Sequence, residues 1–198
     1  MSALVADLDT TPLRLVADLV LVTLILLNAY LGYRHGLLRR LFAFAGLFAG
    51  CLAATYVGNG IASLVDPHSL YANAWFFVGV VAVIVVLAEI LGYLYEDRLR
   101  HVMVVVFDRI AGTFAGAVVG FFEASVAFLV ALAVAATPSA NNTVPADRGN
   151  AGAAIQTSML SGLAVRAAPG VRSVFAPVFP NDLVGHLADG TQAIPSGR

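Results

Sequence analysis

Four long apolar runs constrain the fold of this chain more than any other feature. They cover residues 15–33, 41–57, 75–95 and 110–136. About 20 consecutive apolar residues are enough for a helix to cross a hydrocarbon core about 30 Å thick. Composition agrees, because 60% of the residues are hydrophobic and only 12% are charged, against about 25% charged in soluble domains. We therefore predict an all-α membrane protein with four transmembrane helices.

Polar segments divide the chain into three parts. Residues 1–13 are short and mildly acidic and lack the basic region of a signal peptide, so the first span is expected to be retained behind an N-terminal tail. Residues 14–137 form the predicted four-helix transmembrane domain, with residues 101–107 as a short interfacial helix before the last span. Residues 138–198 are predicted to be a linker and a partly helical C-terminal tail. The apolar face of this tail would rest on the membrane surface or on the bundle.

Arginine placement predicts the orientation in the membrane. The loops after the first and third spans hold Arg34, Arg39, Arg40, Arg98, Arg100 and Arg109, and the loop after the second span holds neither arginine nor lysine. Short basic loops face the cytoplasm. Both termini are therefore expected on the outer side, periplasmic or extracellular.

Glycines recur at intervals of four residues in or beside three of the spans. They are Gly32 and Gly36, Gly46 and Gly50, and Gly112, Gly116 and Gly120. Residues four apart lie on nearly one face of a helix, and small residues there let two helices approach closely. The pattern predicts GxxxG packing, either within one chain or between the protomers of a homo-oligomer.

Three acidic residues fall within the apolar runs: Asp18, Glu89 and Glu123. A carboxylate at the bilayer centre costs about 2.5–3.5 kcal/mol on insertion scales, so Glu89 and Glu123 should face the bundle or be protonated. Asn28 and Thr55 are candidate hydrogen-bond partners of Glu123. Glu123 is interpreted either as part of a proton or ion relay or as a structural, hydrogen-bonded carboxylate.

Two segments resemble the colicin V production (CvpA) family of bacterial inner-membrane proteins. One contains Asp18 and continues into Gly-Tyr-Arg-His-Gly-Leu at residues 32–37 with Gly46 and Gly50; the other is Phe-Asp-Arg-Ile-Ala-Gly at residues 107–112 with Gly116 and Gly120. The second resembles the D-R-x-x-G entry to the family's last span. Within it, Asp108 and Arg109 are interpreted as an ion pair closing the last cytoplasmic turn or as a partner-binding element. The resemblance implies a role in toxin production or export and in cell-envelope homeostasis.

No catalytic or ligand-binding set accompanies these features. The four histidines are dispersed and have no metal-ligand spacing, and no basic stripe suggests nucleic acid. We expect a non-enzymatic scaffold or accessory factor without cofactor or metal, located in a bacterial inner membrane with an envelope protein as partner. The alternative is a small transporter or channel component that uses Glu123 and Glu89 as protonatable groups.

Overall fold

The computed structural model of the chain describes residues 2–65, 69–99, 105–138, 143–180 and 182–189. Within these ranges every regular element is helical. In chain order they are α1 (Ser2–Ala53), a π-helical turn (Ala54–Gly58), α2 (Asn59–Val65), α3 (Leu70–Leu99), α4 (Val105–Ala136), α5 (Ala146–Thr157), α6 (Ser161–Arg166), α7 (Ala168–Phe175) and α8 (Leu183–Asp189). The predicted all-α class is therefore confirmed.

Three helical stretches in the described residues are long and apolar enough to cross a membrane: Thr11–Gly58, Leu70–Tyr95 and Phe107–Ala136. The first has 48 residues, more than twice the roughly 20 that a single crossing needs. Gly36 interrupts it with φ 82° and ψ 176°, a backbone conformation that is essentially restricted to glycine. We refer to the residues of α1 before Gly36 as its first arm and to those after Gly36 as its second arm.

The chain reverses direction at Gly36. Leu24 lies against Gly120, and the ring of Phe44 lies 5.5 Å from that of Phe122. A straight helix would separate residues 24 and 44 by about 30 Å, yet both contact the same turn of α4. The two arms of α1 therefore form a helical hairpin, and α4 packs against it.

Glycines lie where α4 meets the first arm of α1. A Cβ added to any of the three glycines of α4 would collide with the backbone of that arm. The facing pairs are Gly112 with Gly32, Gly116 with Asn28 and Gly120 with Leu24. Because residue numbers rise in one helix as they fall in the other, the two helices are antiparallel and approach at backbone distance.

The second arm of α1 and the π-helical turn pack on α3 in the same way. The facing pairs are Gly46 with Ala88, Gly50 with Val81, Gly58 with Phe77 and Gly92 with Phe42. This packing is also antiparallel. The sequence therefore has small residues at both long contacts of the hairpin.

The C-terminal tail packs into the bundle. Val171, Phe175, Val178, Leu183 and Leu187 are buried in one core cluster with side chains of α1, α3 and α4. The tail also receives hydrogen bonds from the bundle, since the Thr55 hydroxyl donates to the Val178 carbonyl and the Asn73 amide donates to the Leu187 carbonyl. Of the two positions considered for the tail, the membrane surface or the bundle, the described segments occupy the second.

The predicted N-terminal tail is helical from Ser2 and continuous with α1. Two local expectations need correction or fall outside the described residues. The helix predicted at residues 101–107 mostly lies outside the described residues, and its last three residues already belong to α4. Arg40 is a buried residue of the second arm rather than a loop residue, with 0% of its surface exposed.

We expect Gly36→Ala to destabilise the protein. An alanine would have to adopt a backbone conformation that costs about 1–3 kcal/mol, and its Cβ would overlap the Asp108 carboxylate. The measurement is the midpoint of thermal unfolding in mild detergent. Gly79→Ala is the matched control, because Gly79 lies in α3 with no atom within 4 Å of an added Cβ, and alanine favours helix by about 1 kcal/mol. A Gly36→Ala variant as stable as the control would contradict the hairpin.

Candidate functional site

A chain of hydrogen bonds centred on Arg40 lies inside the bundle. Nη1 of Arg40 donates to Oδ1 of Asn28 over 2.8 Å, and Nη2 donates to Oε1 of Glu89 over 2.7 Å. The second contact is also an ion pair. Arg40 is wholly buried and Asn28 is 4% exposed, so both are withdrawn from solvent and from lipid.

Asn28 extends the chain to a second carboxylate. Its Nδ2 donates to Oε2 of Glu123 over 2.8 Å and to the Leu24 carbonyl over 3.1 Å. The four side chains come from four different helical segments: Asn28 from the first arm, Arg40 from the second arm, Glu89 from α3 and Glu123 from α4. We refer to these four residues as the Arg40 network.

The charges of the Arg40 network explain why it takes this form. A guanidinium in an apolar environment is costly unless it is paired and hydrogen-bonded, and Glu89 supplies both an opposite charge and an acceptor. Asn28 is suited to the central position because its amide has both an acceptor and a donor. It accepts from Arg40 and donates to Glu123, so it links the cation to a second carboxylate. Nε of Arg40 has no hydrogen-bond partner among the described residues.

A cluster of aromatic rings lies near the network and joins it to the tail. Phe175 of α7 lies 6.3 Å from Phe44, 5.8 Å from Phe48 and 5.6 Å from Phe122, measured between ring centroids. Phe44 follows Arg40 by one helical turn, and Phe122 directly precedes Glu123. The tail thus places an apolar layer beside the polar network, and we refer to these four phenylalanines as the aromatic layer.

Asp108 has a separate structural contact at the hairpin turn. Its Oδ1 accepts a hydrogen bond of 2.9 Å from the backbone N–H of Leu37, the first residue after Gly36. The first N–H groups of a helix lack partners within the helix, so Asp108 caps the second arm from α4. The Arg109 guanidinium lies 5.8 Å from the centre of the Tyr33 ring. The two neighbouring residues therefore both bind α4 to the hairpin.

Asp18 caps a different helix, at the opposite end of the bundle. Its Oδ1 accepts hydrogen bonds from the backbone N–H groups of Leu160 (3.1 Å) and Ser161 (2.8 Å) and from the Ser158 hydroxyl. Helix α6 begins at Ser161. Its N-cap residue is Leu160, whose side chain makes no capping hydrogen bond. A carboxylate on the first arm therefore fixes the start of a tail helix 143 residues later.

The residues singled out from the sequence separate into three groups in space. Glu89 and Glu123 meet in the Arg40 network, the glycines lie along the helix contacts, and Asp18 and Asp108 cap helices at opposite ends. Of the two proposed partners of Glu123, Asn28 makes the bond. Thr55 instead donates to the Cys51 and Val178 carbonyls.

Sequence reasoning missed Arg40, because a charge next to a basic turn was assigned to the loop. The signal that could have revealed its burial is its spacing from other inward-facing residues. Arg40 falls at three-to-four-residue intervals with Gly36, Ala43 and Leu47, which are all buried. This places the arginine on the inward face of the helix.

The Arg40 network can hold a proton or stabilise helix packing. It contains two carboxylates, one cation and one amide, joined by consecutive hydrogen bonds. In the described part of the chain no group of three or more His, Cys, Asp or Glu side chains could hold a metal ion. The groups of the network are suited to proton exchange and to electrostatic cross-linking of helices.

We expect Arg40→Met to be strongly destabilising, and Glu89→Met added to it to recover part of the loss. Removing one partner from a buried ion pair costs about 3–5 kcal/mol, because the other charge is left uncompensated. Replacing both partners by apolar side chains removes that penalty. The measurement is thermal unfolding of the single and double variants in one detergent.

Arg39→Met is the matched control for this series. Arg39 is the neighbouring arginine and lies over the Tyr93 ring at 5.6 Å, a contact worth about 0.5–1 kcal/mol at an exposed site. Its loss should therefore cost much less than the loss of Arg40. A double variant no more stable than Arg40→Met would show that Arg40 and Glu89 are not coupled.

We expect Asp18→Ala to loosen the start of α6. The substitution removes the acceptor for two backbone N–H groups, and loss of a helix cap costs about 0.5–2 kcal/mol. Hydrogen exchange of a peptide covering residues 158–166 should accelerate. Asp182→Ala is the control, since Asp182 accepts from the Gly185 N–H in the last helix and should accelerate exchange there alone. Unchanged exchange at residues 158–166 in Asp18→Ala would contradict the assigned cap.

Comparison with known proteins gives one match. The family model described as "Colicin V production protein" matches residues 17–169, which include the Arg40 network and both helix-capping aspartates. No curated protein and no solved structure matches the chain. Since the family model covers well over half of the 198 residues, the chain belongs to the colicin V production protein family.

Proposed function

We propose that the protein is a non-enzymatic scaffold or accessory factor of the inner membrane, acting in toxin production or export and in envelope homeostasis. The observation that carries this proposal is the Arg40 network. Its polar side chains form hydrogen bonds with one another across four helical segments. Such bonds are expected of groups that hold helices in register. The family match and the three long apolar stretches support the membrane location.

The proposal includes four crossings of the bilayer, packed through the glycine faces. The Gly36 reversal supports it, because each arm of the 48-residue stretch is then of spanning length. Both termini lie on the outer side in this arrangement. Arg40 is buried and is therefore not counted among the loop charges that indicate the cytoplasmic side. Arg34 and Arg39 still flank the turn, and Arg109 lies at the same end of the bundle, so this end keeps its basic character.

The tail is the proposed site of contact with an envelope protein. Met159, in the turn before α6, and Leu163, in α6, are 84% and 55% exposed and lie four residues apart in the tail. Tail helices that are fixed to the bundle by Asp18 and the aromatic layer present these side chains in a defined position. Such a surface suits an accessory factor that binds a partner without changing it chemically.

A proton-coupled transporter is the second candidate, and the paired carboxylates of the Arg40 network favour it. Glu89 is 22% exposed and is joined through Arg40 and Asn28 to Glu123. The aromatic layer argues against a continuous path, because Phe175 packs on Phe122 and Phe44 beside the network. We therefore favour the scaffold.

Glu123→Gln distinguishes the two functions. Glutamine retains an oxygen that accepts from Asn28 but carries no exchangeable carboxyl proton. The scaffold predicts that this variant restores toxin release in a deletion strain as fully as the wild-type gene does. It also predicts that liposomes containing either protein hold a proton gradient equally well.

Opposite results would support the transporter. They are a wild-type proton flux that Glu123→Gln abolishes, together with failure of the variant to restore toxin release. Thr113→Val is the control for a change of similar size in the same helix, because the Thr113 hydroxyl donates only to the Arg109 carbonyl one turn earlier. Membrane fractionation shows that all variants are inserted.

A further inference from the structure

A groove runs between α3 and α4 at the tail end of the bundle, apart from the Arg40 network. Its volume is about 420 Å³, within the range of small-molecule binding sites. Ala74 on α3 and Ala127 and Ala131 on α4 line the groove. Their small side chains leave space between the two helices. The lining is mostly apolar, and α5 closes one end.

The groove has the position and length of a lipid site. On α4 it extends from Ala127 to Ala135, which corresponds to about 12 Å along a helix axis and so to most of one leaflet of a core about 30 Å thick. Trp75 lies at its margin and is 75% exposed. Tryptophan is enriched at the boundary between headgroups and acyl chains, so the end of the groove near α5 lies at headgroup level.

Two opposite charges stand at that end. Asp147 and Arg148, in the first turn of α5, both line the groove. The Arg148 guanidinium donates a long hydrogen bond of 3.4 Å to the Val134 carbonyl, which holds it beside the groove. A guanidinium has five N–H donors, and among the described residues Val134 accepts from only one of them. The N-cap residue of α5 is Pro145, and no side chain caps this helix. Uncapped helix N-termini and arginine forks both bind phosphate.

We propose that this groove binds a zwitterionic phospholipid bearing a primary amine, with one acyl chain between α3 and α4. Arg148 and the start of α5 hold its phosphate, and Asp147 accepts hydrogen bonds from its ammonium group. The paired charges select this headgroup, because an anionic lipid has a phosphate for Arg148 but no positive group to compensate the Asp147 carboxylate. The inference rests on the proposed bilayer placement and adds a ligand to it.

Native mass spectrometry of the full-length chain tests the site. The detergent-solubilised protein is titrated separately with phosphatidylethanolamine, phosphatidylcholine and phosphatidylglycerol. We expect phosphatidylethanolamine to bind most tightly, since its headgroup alone combines a positive charge with hydrogen-bond donors for Asp147. The choline group has no N–H to donate, and the hydroxyls of phosphatidylglycerol carry no charge. Arg148→Gln should weaken all three lipids about tenfold, as expected for loss of a charge-assisted hydrogen bond. Asp147→Asn should remove the preference over phosphatidylglycerol.

Ala131→Leu tests the acyl-chain part of the site. The larger side chain fills the groove and should lower retention of every lipid. Ala49→Leu is the control, since Ala49 is exposed on the second arm of α1 and away from the groove. Equal lipid retention in the two alanine variants, or an unchanged headgroup preference in Asp147→Asn, would overturn the proposal. Toxin release and membrane fractionation of the same variants report separately on the proposed scaffold function.

Discussion

The burial of the Arg40 guanidinium is the constraint on which the rest of the structure depends. This side chain has no exposed surface inside a largely apolar bundle, and the hydrocarbon of the bilayer offers no groups with which it could form hydrogen bonds. The bundle has to provide the partners, and it does so from the first arm of α1 through Asn28 and from α3 through Glu89. Asn28 then recruits Glu123 of α4. Sliding any one helical segment along its axis would break a bond, so the network fixes their relative depths.

Two aspartates satisfy helix N-termini that arise inside this arrangement. The hairpin at Gly36 creates a new N-terminus within the bundle, and Asp108 accepts its first N–H. The tail creates another, which Asp18 caps. Both contacts join segments far apart in sequence. Each therefore stabilises the tertiary fold and also provides an acceptor for backbone N–H groups that have no partner within their helix. This use of polar side chains for architecture is the physical basis for favouring a scaffold.

Much of this fold could be predicted because apolar length and small-residue spacing are local signals. They located the long helices and the glycines at their contacts. They did not choose between Asn28 and Thr55 as the partner of Glu123, which the structure shows to be Asn28. The depth of Arg40 was missed because charge next to a turn resembles a loop, and only its spacing from the buried residues Ala43 and Leu47 marks it as inward. The tail was left between two positions because its buried residues are separated by prolines and short helices, and their partners lie on three other segments.

The hairpin at Gly36 is the central claim, because without it Arg40 could not meet Asn28. Double electron–electron resonance between spin labels at Leu19→Cys and Leu52→Cys, in a Cys51→Ala background, measures it directly. Both leucines are exposed and lie at similar distances in sequence from Gly36, on opposite arms. The hairpin predicts a label separation below about 30 Å, because adjacent helix axes are about 8–10 Å apart. A separation near the roughly 50 Å of a continuous helix of 33 residues would contradict it.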